Sequence, residues 1–197
     1  MSPCGNIVLV GLSGAGKTSC AQILAELLDL AVLDTDVIIQ KNTSMSVAAI
    51  FAQQGEVYFR ALERQLIEDF IEANLAGTVL SVGGGLPAQG DNVHLLKKLG
   101  LTVFLNASPE TLARRLSQDV NRDHSLRPLL ARPGTDKDDC KEESQGVKEN
   151  NLEAALSDQL ARRRKYYEEA HLVINTDGKS MQDICLEIQT IIVNNAC

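Results

Sequence analysis

Gly11-Leu12-Ser13-Gly14-Ala15-Gly16-Lys17-Thr18 follows a short apolar run, Asn6 to Val10. A helical pattern comes after it, with Ile23, Leu24, Leu27 and Leu28 on one face. Strand, glycine-rich loop, lysine, hydroxyl and helix in this order are the setting that G-x-x-x-x-G-K-[ST] requires. The glycines let the backbone curl so that several N–H groups point inward, and the helix N-terminus adds partial positive charge. Gly14, Ala15, Gly16, Lys17, Thr18 and Ser19 would cradle a nucleoside triphosphate. Lys17 reaches the β- and γ-phosphates, and the Thr18 hydroxyl binds Mg²⁺. A chance glycine-rich turn would not need all these parts in sequence.

Working outward, four more short aliphatic runs recur: Ala31 to Leu33, Thr78 to Val82, Leu101 to Leu105 and Leu172 to Asn175. Each is too short for a helix and too apolar for an exposed strand, so each reads as a buried parallel strand. Helical patterns lie between them. Phe59, Leu62, Leu66 and Phe70 line one face. Ser108-Pro109-Glu110 has the form of a helix start, and Ser180 with Asp183 forms a second capping pair. This alternation predicts a three-layer α/β/α fold with right-handed crossovers. Residues 133–151 (PGTDKDDCKEESQGVKENN) break the pattern and read as a polar, mobile insertion in a lid region near 114–151. The 197 residues are expected to form one domain.

The net charge of −7 argues against general nucleic-acid binding. Arginine is nonetheless concentrated between Arg114 and Arg132 and at Arg162-Arg163-Arg164, which suggests local anion sites. Five cysteines (Cys4, Cys20, Cys140, Cys185, Cys197), with no C-x-x-C pair, predict neither a disulfide framework nor a zinc site. A reducing cytoplasm follows. Cys20 reads as a small apolar residue on a helix. No apolar run is long enough to span a membrane, and no leader peptide is expected.

Ligands of open parallel sheets bind at the carboxyl ends of strands. Asp34 and Asp36 follow the second strand. If the chain there is extended, both carboxylates face the cleft, one toward Mg²⁺ and one toward an acceptor hydroxyl. An Asx turn or a helix cap at Asp36 is the competing reading. Gly83, Gly84 and Gly85 follow the third strand, where a ligand or another backbone comes close. Arg60 lies three residues before Glu63, a spacing common in surface pairs. Arg127, in LRPLL, can reach a transferring phosphate from a lid. Guanine-specificity signals are absent and the chain is short for a motor, which favours a small-molecule phosphotransferase.

GLSGAGKT, LDTD, TSMSVAAIFAQQGEVYFRALE, GGG, LRPLL and R-x-x-x-Y-x-E-x-A occur in that order, and the chain resembles the shikimate kinase family over nearly its full length. The resemblance implies a nucleoside-monophosphate-kinase-like fold, with a five-stranded parallel sheet and a mobile helical lid. It implies transfer of the ATP γ-phosphate to the 3-hydroxyl of shikimate, on the chorismate route to aromatic amino acids. Carried over by motif, Asp34 holds Mg²⁺ through water. Asp36 binds the acceptor hydroxyls and acts as base. Arg60 and Arg162 grip the carboxylate, the Gly84 backbone with Gly83 and Gly85 closes the acceptor site, and Arg127 comes onto the phosphates. Catalysis thus falls to Lys17, Asp36 and Arg127. Choosing Arg162 rests on aligning Tyr166, Glu168 and Ala170 with Y-x-E-x-A. The chain departs from the family at Arg164-Lys165 (where Pro-Leu is usual), at His171 (where aspartate is common) and in the long segment after Arg127. Arg122 is the candidate for stacking on adenine. A cytoplasmic monomer is expected. The rivals are a gluconate-kinase-like enzyme and a non-catalytic nucleotide-binding module.

Overall fold

A computed structural model describes residues 5–120 and 145–195. Five parallel strands form one sheet: β1 (Asn6–Val10), β2 (Ala31–Asp34), β3 (Thr78–Ser81), β4 (Gly100–Asn106) and β5 (Leu172–Asn175). Their spatial order is β2-β3-β1-β4-β5, so the strand feeding the glycine loop is central. All five residues of β1 are buried, which explains its unbroken apolar character: both faces are covered. The edge strands expose apolar side chains at Val32 and Val173.

Among the described residues, seven α-helices flank the sheet: α1 (Lys17–Leu28), α2 (Thr35–Thr43), α3 (Val47–Glu72), α4 (Asn92–Leu99), α5 (Pro109–Val120), α6 (Gln145–Tyr167) and α7 (Met181–Asn195). The layered arrangement foreseen from the alternation is present, with α1 against α7 and α5 against α6. Ser108 caps α5 by accepting the Thr111 N–H, and Ser180 caps α7 by accepting the Asp183 N–H. The end of the polar stretch, 145–151, is helical and begins α6, whereas 133–144 lies outside the described residues. At the departure site His171, the ring Nδ1 accepts the Thr102 N–H at 3.0 Å and ties β4 to the entry of β5.

The described residues form two buried apolar clusters. The main one runs through the sheet and takes in α1, α7 and the apolar face of α6. Cys20 on α1 and Cys185 on α7 belong to it, with free thiols 3.5 Å apart. A smaller cluster of Ile39, Ile50, Phe59 and Leu66 joins α2 to α3, and Phe70 packs against both clusters.

Candidate functional site

The glycine loop leaves β1 and closes onto α1, with Gly14 and Gly16 at φ 82° and 89°. L side chains rarely adopt such angles. Lys17 Nζ donates to the carbonyls of Gly11 and Leu12 at 2.9 and 3.0 Å, so the ammonium is held back over the loop. Behind the loop, Leu116 of α5 packs where a side chain on Gly14 would go, and Met181 of α7 does the same at Gly16. Arg115 donates to the Ala15 carbonyl and to Thr176, tying the loop to the exit of β5.

Asp34 ends β2 and caps α2: its Oδ1 accepts the N–H groups of Asp36 and Val37. Its other oxygen accepts from the Thr18 hydroxyl at 3.1 Å, and Ser81 Oγ lies 3.5 Å from the same hydroxyl. Two expectations change here. The local chain is helical rather than extended after Asp34, and the capping residue is Asp34 rather than Asp36. The carboxylates are therefore separated by the turn of a helix and not by strand alternation. Thr35, fully buried, accepts the Gly83 N–H at 3.1 Å and docks the start of α2 onto the exit of β3.

That docking brings Asp36 over the triple glycine. A Cβ on Gly83 would collide with Glu63 Oε1 and sit 3.1 Å from Asp36 Oδ1. These two oxygens are buried and lack a hydrogen-bond partner among the described residues. A Cβ on Gly84 would press on the loop itself, 3.1 Å from the Gly11 carbonyl oxygen. One on Gly85 would meet the Arg60 guanidinium at 2.5 Å. Close approach at all three positions thus explains the glycines, with a different neighbour at each.

Arg60 and Glu63 form an ion pair of 2.7 Å, with side chains 10% and 1% exposed. The pair is internal and not the surface pair its spacing suggests. Burial, with the charge of Asp36 as a lesser cause, pushes Glu63 up to about 7 despite the opposing Arg60. Asp36 is also raised, first by burial and then by Asp34, while Lys17 and Arg60 pull it down. For Arg60, burial opposes the charge, but Glu63 and Glu56 outweigh it and raise its pKa.

Of the three consecutive arginines, Arg162 is exposed and Arg163 is half-buried. Arg163 lies close enough to the Tyr167 hydroxyl and to Glu63 to act electrostatically on both. Tyr167 is fully buried and its hydroxyl donates to the Gly84 carbonyl. The expected Arg162–Tyr166 register is therefore displaced by one residue, since neighbours on a helix point about 100° apart and only one phase faces the glycines. Arg127 and Arg122 lie outside the described residues. Glu63, Arg163 and Tyr167 are site residues that sequence reasoning did not assign. The i, i+4 spacing of Arg163 and Tyr167 is shared by Arg162 and Tyr166, so the sequence held no signal that chose between the two pairs.

Lys17, Thr18, Asp34, Asp36, Ser81 and Gly83 line one cleft of about 550 Å³, together with Arg115 and Met181, which pack against the loop. A phosphate loop at one end and unpartnered carboxylate oxygens beside an arginine at the other define a P-loop phosphotransferase with a polar acceptor. The family model described as shikimate kinase matches residues 13–193. The chain belongs to the shikimate kinase family. It is 37% identical over 185 residues to the shikimate kinase of Sulfurihydrogenibium sp. (strain YO3AOP1), covering 94% of this chain and 96% of that one. Among solved structures, shikimate kinase from Acinetobacter baumannii in complex with shikimate superposes with a TM-score of 0.80. Its identity is 33%, over 98% of this chain and 96% of that one. A gluconokinase from Sinorhizobium meliloti shares the fold, at 16% identity and a TM-score of 0.55, covering 100% of this chain and 95% of its own.

Proposed function

We propose that the protein transfers the γ-phosphoryl group of ATP to the 3-hydroxyl of shikimate, giving shikimate 3-phosphate on the route to aromatic amino acids. The observation that carries this reading is the pair of unpartnered oxygens, Asp36 Oδ1 and Glu63 Oε1, beside Arg60: Asp36 lines the cleft that begins at Lys17, and Glu63 stands next to it over Gly83. A polyol with one carboxylate supplies hydroxyl donors for the first and an anion for the second.

The transfer is direct and in line. Asp36 orients the 3-hydroxyl and takes its proton as the bond to phosphorus forms; burial makes it a better base than an ordinary carboxylate. Lys17 leaves the Gly11 and Leu12 carbonyls for the β- and γ-phosphates. Backbone N–H groups of residues 14–19 hold the remaining oxygens, and Arg127 comes onto the transferring group from the lid. Arg60 and Arg163 grip the acceptor carboxylate, with Arg163 taking the place first given to Arg162. The Gly83–Gly85 backbone closes the site beneath it.

The donors at the strand ends fit Mg²⁺. Thr18 and Asp34, with Ser81 beside them, are hard oxygen ligands, too few to cage an ion but suited to one that keeps waters and phosphates. Bound with ATP, Mg²⁺ would neutralise phosphate charge, and Thr18 and Asp34 are the residues that would hold it, Asp34 through water. ATP and shikimate are the partners, in a cytoplasmic monomer. No helix among the described residues is long and apolar enough to cross a membrane.

A coupled ADP-release assay with shikimate, gluconate or no acceptor tests the reading. Release that requires shikimate is expected. Equal release without it, or with gluconate in its place, would refute the substrate assignment.

A further inference from the structure

Two neighbouring aromatic rings and the chain at Gly85 lie close to the Arg60 guanidinium. Its Cζ lies 5.9 Å from the Phe51 ring centroid and 5.6 Å from that of Phe59, and the Gly85 backbone is in contact with it. An anion binds a guanidinium through its N–H groups. Arginine has five. Nε and Nη2 both donate to one oxygen of Glu56, at 3.1 and 2.8 Å, and Nη1 donates to Glu63 at 2.7 Å. One N–H on each terminal nitrogen is left uncommitted among the described residues.

Glu63 is buried, but the Glu56 side chain is 57% exposed. A surface glutamate bound in this manner contributes little to stability. The backbone before it is nevertheless specialised. Gly55 interrupts α3 at φ 81°, ψ 171°, a conformation essentially confined to glycine. Nothing lies within 4 Å of where its Cβ would be, so conformation and not crowding calls for glycine. The break restarts the helix at Glu56, one turn before Arg60. An acidic side chain is stabilised at such a start by the helix dipole.

We propose that Glu56 is a positioning residue that occupies one edge of Arg60, so that the two remaining N–H groups are presented as a fork to the acceptor's carboxylate. The proposal rests on the reading of Arg60 as the carboxylate grip. It also accounts for selectivity: with its side edge filled, Arg60 takes one carboxylate in one orientation.

The test uses the full chain carrying Glu56→Ala or Glu56→Gln, with shikimate and with its uncharged methyl ester as acceptors. For Glu56→Ala, KM for shikimate rises about tenfold, the size of one charge-assisted contact, while kcat and KM for ATP stay within about twofold. The Gln variant, whose amide oxygen still accepts both N–H groups, recovers most of that loss. With the ester, the Ala variant matches the wild type. An unchanged KM for shikimate in Glu56→Ala overturns the proposal. So does a lowered KM, which would make Glu56 a competitor for the fork, and so does an equal penalty on the ester. The wild type is assayed first: failure to phosphorylate shikimate at all would overturn the substrate reading, and the proposal with it. Normal wild-type turnover with an unaltered variant overturns the proposal alone.

Discussion

Asp36 and Glu63 share a small volume over Gly83, yet their substitutions should be told apart. Asp36→Asn keeps the shape of the site and removes the base. Turnover with shikimate should fall about 10²- to 10⁴-fold, the range for a positioned proton acceptor. Nucleotide affinity, read by calorimetry, should stay near wild type, because Lys17 and Thr18 are untouched. Undiminished turnover would defeat the assignment of Asp36. Glu63 predicts a pH dependence of stability. Its folded pKa of about 7 lies above the ordinary 4.5, so the folded state binds its proton more tightly than the unfolded chain does. The stability it contributes is complete below about pH 4.5, falls as the pH rises, and is gone once the pH has passed about 7. The loss is on the order of 3 kcal/mol for a shift of this size. Urea midpoints at pH 4.5 and pH 8 should therefore differ less in Glu63→Gln than in the wild type. An identical slope in both proteins would place the titration elsewhere.

At the level of elements, the exit of β3 separates the two halves of the cleft, and its glycines should fail differently. A methyl group on Gly85 meets the far end of Arg60, a flexible chain that can yield. Gly85→Ala should raise KM for shikimate and spare that for ATP. A methyl on Gly84 meets the Gly11 carbonyl and the Ser13 N–H, which cannot yield alone. Gly84→Ala should raise both constants, and kinetics with each substrate varied in turn would separate the cases. The inner strands were legible in the sequence because a doubly covered parallel strand must be apolar throughout; β2 and β5 are equally apolar but lie at the edges, partly exposed, so the expectation that every run was buried fails there. The start of α2 was not legible. Asp34-Thr35-Asp36 fits an extended chain and a capped helix equally well, and the choice is made by Thr35 binding Gly83, a partner 48 residues away. Arg162, Arg163 and Arg164 are adjacent, and so are Tyr166 and Tyr167. Such runs carry no helical phase, so the residue facing the glycines emerges only once α6 is docked.

For the whole molecule, the division of the core has a dynamic consequence. The nucleotide loop is anchored on the central strand and the large cluster, whereas α2 and the first half of α3 rest on a cluster of four buried side chains, with Ile38, Met45, Val47, Phe51, Leu62 and the shared Phe70 partly buried against it. Amide exchange should reveal two free energies of opening in one chain. Amides of β1 and α1 should exchange only through global unfolding, and those of α2 and residues 47–59 through cheaper excursions. Ile50, fully buried in the small cluster, provides the probe. Ile50→Ala should cost about 2–5 kcal/mol locally, speed exchange in α2 and weaken shikimate binding, with little change in nucleotide affinity. Uniform acceleration across the chain would show a single cooperative unit. Asp36 and Glu56 ride on the softer unit and Arg60 stands at its boundary, so recognition of the acceptor is conditional on a fold within the fold: the half of the enzyme that selects its substrate must be reassembled at every opening, while the half that holds ATP persists.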